Sequence, residues 1–395
     1  MLADINKGLI SEEEKGALAE MGLLAESEDN ERKELFEYID DLNGMNDRFE
    51  AMVIMNLDCN LACRYCFEGQ RKGKFYMTRE TADALIEFVR KRARGKKEIS
   101  FIFYGGEPLL SVELIQYISE KMKFLAENNG LGYSFSFVTN GTLLTLQAVE
   151  RLKHLGMRNA SVTLDGPKNV HDMFRPFKTG QGSFETILRN INNVCDTVNI
   201  QVSGNYTPEN YETFPLLLDV LMERGLTPAK ISSVKFDPVT KETAEFAPKD
   251  FRDGNESLNE PWLFEAGPFL REEILKRGFR TAKITPTVCM IDIRDTMVIN
   301  YDGAIYKCPG LVGRKEFCVG GITNGITDYH ACHNLSNWKN DECLECCYLP
   351  LCFGGCRYSK LVRDGDMGVD CKKPYLDATL EAFVKQDIKY GLTKT

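Results

Sequence analysis

Strand-like and helix-like segments alternate between residues 51 and 236, and this alternation constrains the fold more than any other feature of the chain. We predict strands at 51–57, 98–104, 134–139, 159–164, 198–204 and 230–236, with helices near 79–94, 112–128, 145–155, 183–196 and 209–224. The helical period is clear where Leu114, Ile118 and Met122 fall on one face. Such alternation predicts an α/β fold with a parallel sheet and helices outside it. The six units are too few for a closed eight-stranded barrel.

The chain on either side of this region has a different character. We expect a helical N-terminal segment (1–50), an alternating core (51–260), a linking helix (261–284), a cysteine-rich domain (285–375) and a C-terminal helix (376–395). In the acidic first segment, Ser11 is the predicted N-cap of one helix, and a second helix is predicted near 31–42. We interpret this segment as a cover over one end of the core. From Thr285 onward the pattern predicts short strands and tight turns, with a hairpin turn at 300–303 and ten of the fourteen cysteines.

Three cysteines lie close together between the first predicted strand and the first predicted helix of the core. Cys59, Cys63 and Cys66 have the spacing Cys-x-x-x-Cys-x-x-Cys. Three thiolates on one loop can ligate three irons of a [4Fe–4S] cluster and leave the fourth iron open. The alternative is a structural or zinc-bound group, but zinc usually takes four ligands at other spacings. In β/α units chemistry collects at the C-terminal ends of strands, where this loop is placed.

The strand, the three-cysteine loop with Tyr65 before its last cysteine, and the helix together resemble the radical S-adenosylmethionine superfamily. The resemblance implies a partial (β/α)6 TIM-like barrel. It also implies that the open iron binds the amino and carboxylate groups of S-adenosylmethionine. Reductive cleavage would then yield methionine and a 5′-deoxyadenosyl radical that abstracts hydrogen from the substrate.

Further motifs at predicted strand ends match this resemblance. Tyr104-Gly-Gly-Glu-Pro108 resembles the family's GGEP motif, which holds the methionine amino group, and Arg175 suits a carboxylate because its guanidinium is a planar fork. The residues that the resemblance places at S-adenosylmethionine are Tyr65, Gly105, Gly106, Glu107, Thr139, Asn140, Thr163, Asp165, Arg175, Asn205 and Phe236. Two alternatives stay open. Asp165 equally suits a brace for the turn at Gly166, and Phe236 suits a core position almost as well.

The C-terminal cysteines form a second pattern. In order they are Cys289, Cys308, Cys343, Cys346, Cys352, Cys356 and Cys371, with Gly303 between the first two. This spacing resembles the SPASM domain, a small irregular α+β domain that carries auxiliary [4Fe–4S] clusters. The resemblance implies one cluster on Cys289, Cys308 and Cys356, and a second on Cys343, Cys346, Cys352 and Cys371. The chain would then hold three [4Fe–4S] clusters. The alternative is a zinc knuckle built on Cys343 and Cys346.

The fourth ligand of the first auxiliary cluster is an open question. Some family members supply it from a cysteine six residues before the first motif cysteine, but that position is Lys283 here. The fourth iron would then be free, or it would take Cys318, Cys332 or the substrate. Cys195 and Cys347 are interpreted as packing residues.

The combination of barrel and SPASM domain implies work on a peptide or protein. Anaerobic sulfatase maturases place a catalytic aspartate just after the cysteine corresponding to Cys308, and Pro309 stands there instead. The runs at 66–69, 103–108, 163–167 and 204–210 look most like the geopeptide maturases. We therefore expect modification of a ribosomally made precursor peptide by a thioether or carbon–carbon cross-link. The alternatives are sulfatase-maturase-like oxidation of a Cys or Ser, peptide epimerisation, a non-catalytic electron-transfer scaffold, or a zinc-dependent interaction module.

Net charge and hydropathy limit the classes of partner that we expect for this chain. The net charge is −9, which argues against nucleic acid as the main partner, and the basic run at 90–97 is interpreted as the end of a helix. The sequence contains no run of 18 apolar residues, so we predict no membrane span. Residues 1–30 contain no signal-peptide pattern. We expect a cytoplasmic protein. Fourteen cysteines are many for an intracellular chain, and because disulfides are rare in the cytosol, cluster or metal ligation explains them better. A reductant such as flavodoxin or ferredoxin is the expected electron donor.

Overall fold

A computed structural model describes residues 27–44, 47–243, 247, 251 and 254–391. The chain divides into two compact units, Met1–Asn46 and Asp47–Thr395. In the first unit the helix predicted near 31–42 is found as α1 (Glu28–Gly44). The helix predicted after Ser11 lies outside the described residues. The interpretation of the N-terminal segment as a cover, and the domain bounds, stay predictions.

Six parallel strands and the helices between them form the core of the second unit. The strands are β1 (Arg48–Asn56), β2 (Glu98–Gly105), β3 (Gly132–Thr139), β4 (Met157–Thr163), β5 (Asn199–Tyr206) and β6 (Ile231–Pro238). The helices are α2 (Arg79–Arg92), α3 (Val112–Asn128), α4 (Leu146–Lys153), α5 (Lys168–Phe174), α6 (Phe184–Val194) and α7 (Phe214–Glu223). Strands β1 to β6 are neighbours in chain order and pair in parallel. The predicted α/β class and partial (β/α)6 barrel are confirmed.

Local sequence explains most of these elements. Thr78 caps α2, because its hydroxyl accepts a hydrogen bond of 3.2 Å from the Thr81 amide. The face of α2 that contains Leu85 and Val89 is buried against the sheet. Two differences from prediction stand out. Strand β1 begins at Arg48, inside the segment expected to be helical, and α5 was not predicted because its seven residues are too few to show a helical period.

The C-terminal part continues the same sheet. It contains α8 (Pro261–Lys276), β7 (Thr296–Ile299), β8 (Ala304–Tyr306), β9 (Gly320–Gly321), β10 (Gly325–Ile326), α9 (His330–His333), α10 (Asp341–Leu344), α11 (Leu349–Cys352), α12 (Arg357–Asp364) and α13 (Lys373–Lys389). Strand β7 pairs in parallel with β1, so that Ala51 lies opposite Met297. The predicted hairpin turn joins β7 to β8, where the Asn300 amide donates to the Ala304 carbonyl at 2.8 Å. The strands β7 to β10 therefore extend the sheet beyond β1.

The core lies on the helix-facing side of the six strands. Alternate residues of β1, among them Phe49, Ala51 and Val53, are fully buried there. Phe101, Phe103, Phe135 and Phe137 add a cluster of edge-to-face and tilted rings on β2 and β3, with centroids 5.3–5.9 Å apart. This packing fixes the C-terminal ends of the strands, where the predicted site residues lie. Among the helices that the structure describes, none combines the length and the hydropathy needed to cross a bilayer.

Candidate active site and cysteine centres

The C-terminal ends of the six strands surround a cavity of about 630 Å³. The predicted site residues that line it are Cys59, Cys63, Cys66, Tyr65, Gly105, Gly106, Thr139, Asn140, Thr163, Arg175 and Asn205. Three residues predicted to contact S-adenosylmethionine, namely Glu107, Asp165 and Phe236, are not among its lining residues. Most of the residues predicted for the barrel site therefore line one cavity, and these three lie outside its lining.

The three-cysteine loop is fixed by the chain around α5. The Ala62 amide donates to the Pro176 carbonyl at 2.8 Å, and the Arg64 amide donates to the Phe174 carbonyl at 3.0 Å. Cys59 is buried, and the Leu61 amide donates to its sulfur at 3.4 Å. Burial raises the pKa of the Cys59 thiol to about 12, because a thiolate is costly away from water. A bound metal would reverse this preference, since metals are ligated by the thiolate form.

Gly105 and Gly106 allow two backbone segments to come close together. Gly105 has a φ of +133°, and a Cβ there would lie 2.3 Å from the Asn56 carbonyl oxygen. A Cβ at Gly106 would lie 2.1 Å from the carbonyl oxygen of Asp58. The resemblance places these glycines at S-adenosylmethionine. In the structure, both glycines lie against the backbone at the start of the cysteine loop. A side chain at either position would displace that backbone.

Glu107 lies below the cavity as a fully buried brace. Its carboxylate accepts hydrogen bonds from the Leu109 amide at 3.0 Å, the Thr139 hydroxyl at 2.8 Å and the Asn140 amide at 2.9 Å. Burial raises the pKa of this carboxyl although the hydrogen bonds lower it. The structure therefore shows Glu107 holding Thr139 and Asn140 in position. Its predicted contact with the methionine amino group stays a prediction.

Arg175 and Tyr65 form the centre of a buried network at the cavity wall. Arg175 Nη1 donates to the Tyr65 hydroxyl at 2.6 Å, and that hydroxyl donates to Asp165 Oδ2. The Asn205 amide donates to Asp165 Oδ1 at 2.8 Å, and Arg175 lies 3.7 Å from Asp165 Oδ2. Asp165 thus holds Tyr65 and Asn205 in position. The sequence had suggested a brace for the turn at Gly166 alone. Phe236 contacts Phe214 with ring centroids 4.6 Å apart, as the core alternative predicts.

His171 supports this network, and the sequence analysis missed its role. Its Nδ1 accepts a hydrogen bond of 3.1 Å from the Asp165 amide, so its proton lies on Nε2, which is 2.9 Å from the Ser183 hydroxyl. That hydroxyl donates to the Arg175 carbonyl at 2.7 Å. Burial lowers the pKa of His171 to about 3, so the ring is neutral. The signal in the sequence was the position of His171, four residues before Arg175, on what proves to be α5.

The C-terminal cysteines gather in two groups. The pKa of the Cys308 thiol is raised to about 12, first by burial and then by the neighbouring thiols of Cys356 and Cys289. The pKa of Cys343 is likewise raised by burial and by the thiols of Cys352, Cys371 and Cys346. These two groups contain the same members as the two predicted ligand sets. Each group offers thiols alone, the donor set that iron–sulfur clusters take.

The remaining cysteines have other contacts. Cys318 Sγ donates to the Gly320 carbonyl at 3.2 Å, and Cys332 Sγ lies 3.1 Å from His333 Nδ1. Cys195 is buried at the end of α6, as expected of a packing residue. Cys347 is exposed, so its interpretation as a packing residue is wrong. Across the described ranges, no three Cys, His, Asp or Glu side chains converge on a site for a single metal ion. A [4Fe–4S] cluster does not need such a site, because each thiolate ligates a different iron.

Known proteins resemble this chain in sequence and in fold. Residues 53–221 match the family model of the Radical SAM superfamily. A cysteine-type anaerobic sulfatase-maturating enzyme of Clostridium novyi is 26% identical over 344 residues, which cover 77% of this chain and 86% of that enzyme. Native anSMEcpe with bound AdoMet and Cp18Cys peptide has a TM-score of 0.65 at 20% identity, covering 87% of this chain and 98% of that one. Streptococcus suis SuiB bound to precursor peptide SuiA has a TM-score of 0.59 at 16% identity, with 87% and 79% coverage. At these identities the two structures show a shared fold.

Proposed function

We propose that the protein is a radical S-adenosylmethionine enzyme that modifies a ribosomally made peptide, because residues 53–221 match the family model of the Radical SAM superfamily. The observation that carries the proposal is one cavity lined by the thiols of Cys59, Cys63 and Cys66 together with the Gly105-Gly106 turn and Arg175. When bound, a [4Fe–4S] cluster and S-adenosylmethionine would supply the reductive cleavage that generates a 5′-deoxyadenosyl radical.

The residues present fit S-adenosylmethionine at the wall formed by Arg175. Its side chain is buried and its Nε has no hydrogen-bond partner among the described residues, although Nη1 is held by Tyr65. A buried guanidinium with a free donor suits a carboxylate, since charge-assisted hydrogen bonds then replace the lost hydration. Tyr65 holds Arg175 in place, and Asn205 Nδ2 in turn donates to the Tyr65 hydroxyl at 3.0 Å. Glu107 holds Thr139 and Asn140 at the floor.

The cavity extends beyond the residues assigned to the cofactor. On one side it reaches the end of β6 at Lys235, Asp237 and Pro238, and on another it reaches Tyr358 from the C-terminal part. The Tyr358 hydroxyl donates to the buried Glu242 carboxylate at 2.5 Å, which holds the tyrosine in position. We assign this extension to the substrate. A peptide is the substrate class that we assign to it, because structures of the same fold are bound to peptides, anSMEcpe to Cp18Cys peptide and SuiB to precursor peptide SuiA.

The reaction that we favour is a thioether or carbon–carbon cross-link within the peptide. The two C-terminal cysteine groups would hold auxiliary clusters, which can accept the electron that remains after bond formation. A low-potential donor of the flavodoxin or ferredoxin type would reduce the cluster of the barrel loop.

A second candidate is oxidation of a single Cys or Ser side chain, as in the sulfatase maturases. The likeness to the Clostridium novyi enzyme over 77% of this chain favours it. Pro309 counts against it, because this residue follows Cys308 and cannot accept a proton. Peptide epimerisation is a further alternative, and it needs no sulfur ligand.

The proposal is tested by two measurements on anaerobically reconstituted protein. Dithionite and S-adenosylmethionine should yield 5′-deoxyadenosine, measured by liquid chromatography and mass spectrometry, and Cys347→Ser should behave as wild type because its thiol is exposed. The precursor peptide is to be sought among small open reading frames beside the gene, and co-expression with it should remove two hydrogen atoms from that peptide. Fragmentation that links two residues supports a cross-link, and a change within one Cys or Ser supports the second candidate. Absence of 5′-deoxyadenosine from a protein with full iron content would overturn both.

A further inference from the structure

Arg357 and Asp292 form a buried ion pair in the C-terminal part. Arg357 Nη2 donates to Asp292 Oδ1 at 2.9 Å and to Oδ2 at 2.8 Å. The Arg357 side chain is fully buried, and only 3% of the Asp292 side chain is exposed. Charges at this depth are costly unless they are paired and hydrogen-bonded, so the two side chains hold each other in one arrangement.

The pair joins the chain at two of the predicted metal ligands. Asp292 lies one turn after Cys289, and its amide donates to the Cys289 carbonyl at 2.9 Å. Arg357 directly follows Cys356 and begins α12, in whose first turn the Lys360 amide donates to the Cys356 carbonyl at 3.1 Å. Each member of the pair is thus fixed to the backbone of one cysteine. The contact between the two side chains therefore sets where Cys356 lies relative to Cys289.

The same guanidinium holds a third segment, the turn that follows α9. Its Nε and Nη2 donate to the Asn334 carbonyl at 3.2 and 3.1 Å. On the other side of the pair, Asp292 Oδ1 accepts a hydrogen bond from the Ser336 amide at 2.9 Å. Asn334 and Ser336 have φ values of +47° and +55°, which non-glycine residues seldom adopt. Three segments of the chain therefore meet at one buried ion pair.

The chain that follows Cys308 packs against the next residue of α12. Gly310 lies two residues after Cys308, and a Cβ there would lie 2.6 Å from Tyr358 Cδ2, so the tyrosine ring lies directly against the glycine backbone. Tyr358 is the neighbour of Arg357. These two consecutive residues, which follow Cys356, therefore contact the segments that follow the two other cysteines of the first C-terminal group.

We propose that Arg357 positions Cys356 against Cys289, so that the first C-terminal group (Cys289, Cys308 and Cys356) can ligate one [4Fe–4S] cluster. The inference rests on the proposed function, which assigns an auxiliary cluster to this group. Arg357 is a positioning residue, because it acts through the backbone of two cysteines. One of its donors, Nη1, is buried and has no hydrogen-bond partner among the described residues. The sulfurs of a bound cluster accept hydrogen bonds and would suit this donor.

The test measures the iron content and the cluster spectra of reconstituted full-length protein. We expect Arg357→Met to lose about one third of the iron, because one of the three proposed clusters would no longer be held. The electron paramagnetic resonance signal that changes on addition of S-adenosylmethionine should remain, since it belongs to the barrel loop. Lys360→Met breaks a partly exposed ion pair with Asp364 on the same helix. This variant is the matched control and should keep wild-type iron content.

A double variant separates positioning from stability. Arg357→Met alone leaves the Asp292 carboxylate buried without its guanidinium, which should lower the midpoint of thermal unfolding. Asp292→Leu combined with Arg357→Met removes both charges and should recover most of this loss, because apolar residues can often replace a buried ion pair. Its iron content should stay about one third below wild type, since this ion pair no longer ties Cys356 to Cys289.

Two results would overturn the inference. Wild-type iron content in the double variant would show that the pair only stabilises the fold, and an equal loss of iron in Lys360→Met would remove the special role of Arg357. If neither methionine variant folds, Arg357→Lys replaces them: it keeps the charge but loses the planar fork, and wild-type iron content in it would refute the positioning role. Wild-type protein that reconstitutes with a single cluster, or that forms no 5′-deoxyadenosine, would instead refute the proposed function.

Discussion

The cavity in the barrel and the cysteine groups of the C-terminal part are held together in different ways. Around the cavity, buried side chains hold one another: Glu107 holds Thr139, and Asp165 holds Tyr65 and Asn205. In the C-terminal part, α9, α10 and α11 have four residues each and are separated by turns. The barrel site is therefore arranged by the chain itself, whereas the C-terminal groups need further cross-links.

Backbone conformation strengthens this contrast. Asn334, Ser336 and Phe353 have φ values of +47°, +55° and +42°, which non-glycine residues seldom adopt. One buried ion pair stabilises this region, where Arg357 Nη2 donates to both carboxylate oxygens of Asp292 at 2.9 and 2.8 Å. Helices of one turn are unstable alone. Because a metal site forms together with the structure around it, cluster binding would supply the missing folding free energy.

The largest expected effect separates the two regions by activity. Replacing Cys59, Cys63 and Cys66 with Ala should remove about one third of the iron and all 5′-deoxyadenosine formation, because one of the three proposed clusters would be lost. Replacing Cys343, Cys346, Cys352 and Cys371 with Ala should also remove about one third of the iron, but it should leave cleavage of S-adenosylmethionine measurable. Iron analysis and product quantification check both. Cleavage that survives the loop substitutions would mean that the active-site assignment is wrong.

The second prediction concerns stability when iron is removed. We expect chelation to increase amide hydrogen exchange strongly across 330–371, since the short helices there lose their cross-links, and to change strands β2, β3 and β4 little. Hydrogen exchange with mass spectrometry checks this. The variant without the three loop cysteines serves as control, because its C-terminal groups should respond to chelation as in wild type. Equal loss of protection in both regions would contradict the comparison.

The third prediction probes the barrel network. Arg175→Ala should weaken S-adenosylmethionine binding about tenfold to a hundredfold, because a hydrogen bond to a charged group is worth roughly 1.5–3 kcal/mol. Arg189→Ala, at an exposed site on α6, is the control. Glu107→Ala should act differently, since it removes a brace: it should lower thermal stability and weaken binding by releasing Thr139 and Asn140. Isothermal titration and thermal unfolding, with iron content, separate the two. Wild-type affinity in Arg175→Ala would place the cofactor elsewhere.

The sequence predicted those parts of the molecule that depend on local pattern. The six strands follow from the alternation, and the gathering of Thr163 and Arg175 at one cavity follows from the resemblance to the radical S-adenosylmethionine superfamily. The pairing of β7 with β1 could not be predicted from the sequence, because the register of a four-residue strand is set by distant contacts. For the same reason the role of Glu107 was incomplete, since its partners Thr139 and Asn140 are over thirty residues away.

The smallest expected effects concern the fourth ligand of the first C-terminal group. Cys318 contacts Gly320, and Cys332 contacts Tyr329 and His333, whereas Cys308 neighbours Cys289 and Cys356. If neither Cys318 nor Cys332 ligates iron, Cys318→Ser and Cys332→Ser should keep wild-type iron content and the spectra of all clusters. Cys308→Ser is the positive control, because it removes a member of the group and should lower the iron content.

A free iron at this site could bind a substrate cysteine, lower its thiol pKa and hold it for thioether formation. Loss of iron in Cys318→Ser or Cys332→Ser would instead identify a closed cluster that only relays electrons, and it would weaken the case for sulfur chemistry.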